Sequence, residues 1–513
     1  MRFRIYILTS LLVALLTSCK DAIVTTPENE VDLDDLAPND SLVLISSGGE
    51  GMAQTRATVK YMPDKVRFSA LMMHRVNKFY DYSYDLSQNA FMVVQNGTII
   101  GNSLYYQSSY EAPTGDGADI YHNDKNASIF HWSNRLEHCF IGYIDDYNKA
   151  LNWAQRPTDG SSTEEYKPQS LDWITSWDQL DLLEQDQETA TDDAKAMKEK
   201  FLVTRKALTD DYDTATPYRW QQYFKIDLSD FATDANGKPV IDGVGNPVRR
   251  YNSMSDMPDP LIAITEKKPE GSTSEQNRVY LTFKHQLAQV QVNVKGSEMG
   301  GSDIVAEAIQ GVDMLGVSTQ ARIFPFPEFG YESWNYDRED ESPVLIYHGE
   351  DKTILRPAEG LSVDLSKYND EELDNNRWGT KYSMYPMGTT ATGYQKSFEA
   401  VAFGTLQALR LYWVELKFEN GSPEKDGSGN VIPLTDKEGN PLLHVVTFVI
   451  TDTDPNTSNI NMKNLQSGKR YIFNLEMRRG TLAVVRADIA DWLPYEYKES
   501  NGDYKYEDGT IKH

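Results

Sequence analysis

The sequence predicts an all-β fold made of β sandwiches, because apolar residues recur with a period of two along most of the chain. Residues 280–295 and 471–477 alternate apolar and polar side chains, which places every second side chain on one face of a strand. Residues 411–418 and 444–451 are apolar on both faces and suit inner strands of a sandwich. Apolar residues follow helical spacing at 192–208, so one amphipathic helix is predicted there.

The strand at 280–295 contains a change of phase. Its apolar positions are first odd-numbered, at Leu281, Phe283 and Leu287, and then even-numbered from Val290 onward. A shift of one residue turns the apolar side to the opposite face of the strand. A bulge, a bend between two sheets or burial on both faces is therefore expected near Ala288.

The length of 513 residues exceeds what one hydrophobic core accommodates, so several domains are expected. A polar region at about 145–250, which contains the predicted helix, has the composition of an insertion in a β domain. The loops at 236–239 and 438–441 have similar sequences, Asn-Gly-Lys-Pro and Glu-Gly-Asn-Pro, and indicate one hairpin design used twice.

The composition excludes some classes of function. The chain carries 77 acidic and 50 basic side chains, for a net charge of −27, and has no long basic run. Because binding to nucleic acid requires a basic face, a nucleic-acid partner is not expected. After residue 18, no stretch approaches the roughly 20 apolar residues of a membrane-spanning helix.

The N-terminus has the features of an export signal. Arg2 and Arg4 precede an apolar run at 5–16, which ends in Leu-Thr-Ser-Cys at 16–19. This ending resembles the lipobox of bacterial lipoproteins, which implies that Cys19 becomes the first residue and carries acyl chains. Each buried methylene contributes ~0.8 kcal/mol, so several chains hold a protein to the outer membrane. A plain signal peptide with an incidental cysteine is the alternative.

The residues that follow are acidic and then strand-like. Lys20 and Asp21 resemble the export tag of surface-displayed lipoproteins, and residues 20–40 have the composition of a solvated tether. A short apolar run then comprises Leu42, Val43, Leu44 and Ile45. Arg56 lies in a stretch of small and polar residues near glycines, where a protease reaches the backbone most easily.

Catalytic and metal-binding interpretations are weak. With Cys19 lipidated, Cys139 remains as a single thiol in an apolar context, which is typical of a small buried hydrophobe. His122, His131 and His138 form with Cys139 a cluster of metal-ligand types, but their irregular spacing favours core or surface histidines. No motif of a hydrolase, a phosphate-binding loop or a zinc protease occurs, so neither an enzyme nor a cofactor is predicted.

Three further features have a structural and a functional interpretation. The acidic turn at 451–454 suits calcium through hard oxygen ligands, but a solvated loop is favoured. His285 alternates with apolar neighbours and is predicted to pack and hydrogen-bond within the sandwich. Tryptophans in or beside the insertion would stack on sugar rings if exposed, but anchoring of the insertion is favoured; they are Trp132, Trp153, Trp173 and Trp177.

Several stretches in a fixed order resemble the fimbrillin-like family of bacterial type V pili. They are Asp-Pro-Leu-Ile-Ala at 259–263, LTFKHQLAQVQVNV at 281–294, LQSGKRYIFNL at 465–475 and Ile-Ala-Asp-Trp at 489–492. The lipobox, the acidic leader and the Thr-Arg-Ala step at 55–57 occur in the matching order. The resemblance covers most of the chain except the insertion.

The resemblance implies two transthyretin-like Greek-key β sandwiches in tandem, with a partly helical insertion in the first. It implies no cofactor. The corresponding division of the chain is a lipoprotein signal peptide at 1–18, a leader at 19–56, an N-terminal sandwich domain at 57–310 with the insertion at about 145–250, a C-terminal sandwich domain at 311–495 and a polar tail at 496–513.

The resemblance also implies a mode of assembly. Polymerising members lose an N-terminal strand when a trypsin-like protease cuts after an arginine, and a strand of another subunit fills the vacated groove. Carried over, Leu42 to Ile45 would be the removable strand and Arg56 the cleavage site. The implied function is a structural or adhesive subunit at the cell surface, with other fimbrial subunits as partners and a host or bacterial surface ligand as a further one.

The length, the insertion and the polar tail favour a tip or accessory subunit over a repeating shaft subunit. The tail has two Tyr-x-Tyr pairs but is otherwise polar, which makes it a poor donor strand; a disordered end is the equally weighted alternative. The competing function is a surface lipoprotein that binds glycans and never polymerises, since it would share the signal, the strands and the aromatic residues.

Overall fold

The structure is a computed structural model, and it describes residues 38, 43–47, 66–75, 83–95, 103–107, 130–155, 166, 169, 177–186, 188–205, 218–235, 238–273, 276–296, 305–325, 329–331, 345–347, 355–357, 381–450, 462–478, 481–491, 497–498, 504–505 and 511–512. Strands dominate these residues, which confirms the predicted all-β class. The tandem transthyretin-like arrangement stays a prediction. Within the described part, no helix has the length and apolarity that crossing a bilayer requires.

The strands are numbered in chain order. In the first half they are β1 (Ile45–Ser47), β2 (Arg67–Arg75), β3 (Ser83–Gln95), β4 (Ser103–Gln107), β5 (His138–Ile144), β6 (Phe201–Arg205), β7 (Tyr218–Gln222), β8 (Phe224–Asp227), β9 (Leu261–Lys267), β10 (Val279–Leu281), β11 (Lys284–His285) and β12 (Ala288–Gly296). In the second half they are β13 (Ile309–Leu315), β14 (Gln320–Ile323), β15 (Phe329–Tyr331), β16 (Leu345–Tyr347), β17 (Leu355–Pro357), β18 (Lys381–Ser383), β19 (Tyr385–Pro386), β20 (Lys396–Ala402), β21 (Gly404–Thr405), β22 (Ala408–Val414), β23 (Phe418–Glu419), β24 (Ser422–Pro423), β25 (Leu443–Val449), β26 (Asn464–Leu465), β27 (Lys469–Arg478), β28 (Thr481–Asp491), β29 (Tyr497–Lys498), β30 (Tyr504–Lys505) and β31 (Ile511–Lys512).

Three described helices lie in the predicted insertion: α1 (Tyr147–Ala154), α2 (Trp177–Glu184) and α3 (Asp192–Lys200). The Thr191 side chain caps α3 by accepting from the Ala194 N–H at 3.2 Å. The predicted helix at 192–208 is therefore too long, because Phe201 is already extended and begins β6. The sequence of β6, Phe-Leu-Val-Thr-Arg, is rich in residues with strand propensity, which explains the early end.

The largest sheet has the strand order β11-β9-β5-β2-β3-β16-β15-β7-β6, with β4 also pairing β3. Both of its faces are buried along β2. Phe68 and Met72 pack into one apolar cluster, whereas Leu71 and Met73 pack into another. A strand buried on both faces is apolar at consecutive positions, which is the pattern of β2.

A second sandwich is formed by the sheets β19-β20-β12-β27-β28 and β18-β13-β22-β25. Its core contains Val290 and Val292 of β12, Tyr471 and Phe473 of β27, and Met314 of β13, all at most 1% exposed. The alternation predicted at 471–477 is thus confirmed. Residues 444–451 were predicted as an inner strand, but β25 lies at the edge of its sheet and is half-exposed to exposed throughout.

The change of phase near Ala288 is a bend between sheets. The chain leaves the large sheet after β11, and β12 pairs with β20 and, in parallel, with β27. β12 thus pairs within the second sandwich, although the predicted division at 310 assigns it to the N-terminal domain; the division of the chain stays a prediction. Conversely, β15 and β16, predicted in the C-terminal domain, pair within the large sheet. The largest sheet and the second sandwich therefore each contain strands from both halves of the chain.

The turns at Asp242, Asp426 and Asp436 share one design. In each, the aspartate side chain accepts the backbone N–H four residues later, at 2.8 to 2.9 Å. These hydrogen bonds lower the pKa of all three carboxyl groups. A glycine with positive φ follows, for example Gly439 at 89°. The hairpin design seen in the sequence therefore occurs in both halves of the chain, although Asn236 and Gly237 lie outside the described residues.

Candidate functional site

The N-terminal segment at 43–47 packs on one face of the largest sheet. β1 pairs with β10 in parallel, with Ile45 opposite Val279 and Ser47 opposite Leu281. The Val279 N–H donates to the Leu44 carbonyl at 2.8 Å, and the Val43 N–H donates to the Phe130 carbonyl at 2.9 Å. The segment is thus held between β10 and the chain at residue 130.

Alternate side chains of the segment point into the apolar interior. Val43 is 2% and Ile45 is 4% exposed, whereas Leu44 between them is half-buried. Both buried side chains join what we call the N-terminal cluster, whose buried members are Val43, Ile45, Val66, Phe68, Ala70, Met72, Phe130, Trp132, Phe140, Ile144, Tyr147, Ala150, Trp153, Ala154, Tyr166, Leu261, Ala263, Val279, Leu281 and Phe283. The strand slot is the surface of β10, Phe130 and this cluster that receives Val43 and Ile45.

The N-terminal cluster is tightly packed. The rings of Phe68 and Phe283 meet edge to face, with centroids 5.0 Å apart. Gly142 of β5 lets the Phe283 ring lie directly on the backbone, because a Cβ at this position would be 2.7 Å from the ring. Such close packing leaves the surrounding side chains little room to rearrange.

Among the residues that the structure describes, the segment buries two aliphatic side chains, Val43 and Ile45. Each contributes about 1.5–3 kcal/mol, or about 3–6 kcal/mol together. Short parallel pairing adds less than an antiparallel ladder of the same length. We therefore expect the segment to open locally at a smaller free-energy cost than unfolding of the sandwich.

The predicted site residues have different outcomes. Val43, Leu44 and Ile45 lie in or next to β1. Leu42, Cys19 and Arg56 lie outside the described residues, and so does the acidic turn at 451–454. Lipidation, cleavage and removal of the strand stay predictions.

A buried hydrogen bond joins two of the stretches that carry the resemblance, 259–263 and 281–294. His285 donates from Nδ1 to Asp259 Oδ1 at 2.6 Å, and the two side chains are 2% and 3% exposed. Asp259 lies just before β9, and His285 lies in β11, which pairs with β9. The predicted packing of His285 is confirmed. Asp259 was not predicted as its hydrogen-bond partner. The available signal was that the stretch at 259–263 precedes this strand in the family pattern.

The stretch at 465–475, which also carries the resemblance, contacts the stretch at 281–294 close to His285. The Gly468 N–H donates to the Leu287 carbonyl at 2.9 Å, directly before the parallel pair of β12 and β27. A Cβ on Gly468, whose φ is 73°, would lie 3.5 Å from the His285 carbonyl oxygen. Three of the stretches that carry the resemblance, 259–263, 281–294 and 465–475, therefore meet at the joint, the place where the chain passes from the largest sheet to the second sandwich.

The described members of the set of metal-ligand types, His131, His138 and Cys139, lie in different environments. His138 is fully buried, donating from Nδ1 to the Leu136 carbonyl at 2.9 Å and accepting from the Ser133 N–H at 3.2 Å on Nε2. Cys139 is buried and His131 is exposed, whereas His122 lies outside the described residues. Among described residues, no three His, Cys, Asp or Glu side chains lie close enough to hold a metal ion.

His138 predicts a measurable pH dependence. Burial lowers its pKa from 6.5 to about 4, against the donation to the Leu136 carbonyl and with the help of nearby His74. The unfolded chain therefore binds the proton first, so this contribution to stability is complete above pH 6.5 and is lost as the pH falls toward 4. The loss is roughly 3 kcal/mol.

The measurement is the difference in free energy of unfolding between the protein and a His138→Gln variant at several pH values. The difference is needed because burial also raises the pKa of Asp146 to about 6, which stabilises the fold as the pH falls. The variant should gain on the wild-type protein between pH 6.5 and 4. A constant difference would contradict the prediction.

Two of the tryptophans considered for glycan stacking are buried. Trp132 is 1% and Trp153 is 6% exposed, and both belong to the N-terminal cluster. The Arg67 guanidinium lies 3.7 Å from the centroid of the Trp153 ring, within a cation–π arrangement. Trp153 therefore packs α1 of the insertion onto the sheet, as the favoured interpretation expects, whereas Trp132, which precedes the insertion, packs against Phe140.

Comparison with known proteins gave matches among solved structures alone. No family model matches the chain, and no curated protein does. A provisionally assigned cell adhesion protein from Bacteroides uniformis is 10% identical, with 88% of this chain and 98% of that chain covered and a TM-score of 0.34. A fimbrial protein from Bacteroides vulgatus is 12% identical, with 88% and 100% covered and a TM-score of 0.33.

The tip fimbrial protein Mfa3 from Porphyromonas gingivalis is 8% identical, with 88% of this chain and 99% of that chain covered and a TM-score of 0.25. These three structures are named as cell adhesion or fimbrial proteins, and a further similar structure, from Bacteroides thetaiotaomicron, is named as a polysaccharide-binding protein.

Proposed function

We propose that the chain is a lipid-delivered subunit of a bacterial fimbria, in which the segment at Leu42–Ile45 is a removable strand. In this proposal the chain is anchored to the outer membrane through Cys19 and is cut after Arg56. A strand of another subunit then occupies the strand slot. The observation that supports the proposal most is the position of Val43 and Ile45, which are buried in the slot but belong to a short segment near the N-terminus.

The energetics of the slot suit exchange after cleavage. Once the chain is cut after Arg56, the leader is held by its noncovalent contacts. The burial of Val43 and Ile45 contributes about 3–6 kcal/mol before the cost of ordering the leader is subtracted. A strand that buries more side chains and forms more hydrogen bonds would therefore replace the cut leader. Before the cut, the covalent connection keeps the leader close and the slot filled.

The slot sets requirements on the incoming strand. It has to present two aliphatic side chains two residues apart, as Val43 and Ile45 do, because successive side chains of a strand alternate. Its backbone has to accept from the Val279 N–H and donate to the Phe130 carbonyl. A strand that extends further along β10 than β1 does would gain additional hydrogen bonds and displace the leader.

The C-terminal tail supports a tip or accessory position. Its three short strands pair with one another in an antiparallel arrangement, with Lys498 opposite Tyr504 and Tyr504 opposite Lys512. A tail folded on itself in this way does not offer a single long donor strand. A tip subunit has to receive a strand but does not have to donate one.

The test is uptake of a strand after limited treatment with trypsin. The cut chain should bind an excess of a labelled peptide of residues 41–47, Ser-Leu-Val-Leu-Ile-Ser-Ser, which the uncut chain should not bind, and N-terminal sequencing should show a new N-terminus at Ala57. A double variant, Arg56→Ala with Lys60→Ala, should stay uncut and bind no peptide, whereas Lys60→Ala alone, which keeps Arg56, should behave like the wild-type chain. Peptide uptake by the uncut double variant, or a mature surface form that still begins at Cys19, would count against cleavage-dependent exchange.

The same experiment distinguishes the glycan-binding alternative. A chain that takes up no strand peptide after cleavage at Arg56 but is retained on a polysaccharide column would be a surface glycan-binding lipoprotein. The burial of Trp132 and Trp153 removes two of the four rings on which that alternative depended.

A further inference from the structure

The edge strand β25 exposes a row of apolar side chains on the outer face of the second sandwich. Leu443 is 53%, Val445 48% and Val449 49% exposed, and Thr447 between them is exposed as well. These are three of the large hydrophobic residues that the described part of the chain leaves open to solvent. The even-numbered side chains of β25 are half-buried, facing the core.

The backbone of β25 leaves the same residues without a pairing strand. The Glu415 N–H donates to the Leu442 carbonyl at 3.2 Å, and the Ile450 N–H donates to the Gln407 carbonyl at 2.9 Å. Together with the register to β22, these bonds place the hydrogen-bonding groups of the even-numbered residues toward β22. The N–H and C=O groups of the odd-numbered residues therefore face the other edge, where no described strand pairs with β25.

The sequence of β25 is that of an inner strand. Residues 443–449 read Leu-His-Val-Val-Thr-Phe-Val and contain no lysine, proline or acidic residue. Edge strands of monomeric proteins normally carry such residues, because they prevent pairing with another sheet. Without such residues, the backbone edge of β25 is open to pairing with another strand, whose side chains would flank the exposed apolar row.

The strand is complementary to itself in the antiparallel direction. If Leu443 of one copy lies opposite Val449 of the second, Val445 lies opposite Thr447, and all four odd-numbered residues form hydrogen-bonded pairs. The opposed side chains are aliphatic or β-branched, the types that stabilise cross-strand pairs. We propose that β25 pairs with β25 of a second copy of this chain, joining two four-stranded sheets into one across a two-fold axis at Val446.

The net charge sets the salt dependence of this interface. Two copies at −27 each repel one another, while residues 443–449 contribute no negative charge. Added salt screens the repulsion and leaves the apolar and backbone contacts intact. The dimer fraction should therefore rise between about 0.05 and 0.5 M NaCl, whereas an interface held by ion pairs would weaken over the same range.

The test uses the full chain in a mild detergent and cysteine cross-linking. In the proposed register Val446 faces its own copy in a non-hydrogen-bonded pair with Cα atoms ~4.5 Å apart, within disulfide reach. A Val446→Cys variant should form a covalent dimer on oxidation. A Val244→Cys variant, whose valine is 83% exposed elsewhere on the surface, is the matched control. The wild-type chain gives the background from Cys19 and Cys139.

A second substitution tests the pairing itself. Val445→Lys places a like charge near the interface in both copies and should lower the cross-linked fraction of Val446→Cys about tenfold or more. The same substitution at Val244 should leave it unchanged. Equal cross-linking of the two cysteine variants, or cross-linking that survives Val445→Lys, would overturn the proposal. The cleavage of the leader plays no part in this test, so its outcome is independent of strand exchange at β1.

Discussion

Replacing Asp259 by alanine is expected to lower the free energy of unfolding by about 3–5 kcal/mol, because it leaves the buried His285 ring without its carboxylate acceptor. The two side chains are 2% and 3% exposed and are joined by a hydrogen bond of 2.6 Å. Water cannot take the place of the carboxylate at that depth without opening the joint. The loss therefore includes the desolvation of a polar group as well as the hydrogen bond.

The position of the Asp259–His285 pair explains why its loss should lower the stability of more than the immediate surroundings. His285 and Leu287 lie where the chain crosses from the large sheet to the second sandwich, and the Gly468 N–H bonds to the Leu287 carbonyl there at 2.9 Å. A displacement of His285 would shift the start of β12, which pairs with both β20 and β27. We expect the variant to unfold at lower denaturant concentration with an unchanged slope.

Two further variants separate the loss of the buried Asp259 carboxylate from the effect of any substitution in this region. Asp256→Ala removes an exposed carboxylate three residues earlier and should change stability by about 0.5 kcal/mol or less. Asp259→Asn retains an acceptor oxygen and should lose less than Asp259→Ala. If Asp259→Ala proved no more destabilising than Asp256→Ala, the pair would not hold the joint together.

Strand periodicity was sufficient to predict much of this fold. Tyr471, Phe473 and Leu475 alternate in the sequence and are all at most 1% exposed, because a strand in a sandwich has one face toward the core. The bend near Ala288 was predictable for the same reason, since a change in parity turns the apolar face.

Features that depend on neighbours far along the chain were not predictable. β25 has the composition of an inner strand, but its place at the edge is set by which strands pair, and the sequence pattern does not contain this order. The pairing of β12 was not predictable either, because its partners β20 and β27 lie more than a hundred residues later in the chain. The partner of His285 likewise required the pairing of β9 with β11.

Ile45→Asp is expected to release the N-terminal segment from the strand slot while the sandwich stays folded. Ile45 is 4% exposed in the N-terminal cluster, so the substitution loses about 1.5–3 kcal/mol of apolar burial and places a carboxylate among aromatic and aliphatic side chains. The Val279 N–H reports the release, because it donates to the Leu44 carbonyl of the segment at 2.8 Å. Its hydrogen–deuterium exchange should accelerate roughly 10- to 100-fold.

Leu44→Asp is the matched control, because Leu44 is half-buried on the opposite side of the same segment and keeps Val43 and Ile45 in the slot. Its effect on exchange at Val279 should be only a few-fold, while exchange in β12 and β27 should be unchanged in both variants. Exchange at Val279 that is equally slow in Ile45→Asp and in the wild-type chain would mean that the segment is held by more than its two buried side chains. Such a strand would not leave after a cut at Arg56, and assembly by exchange at this slot would then be excluded.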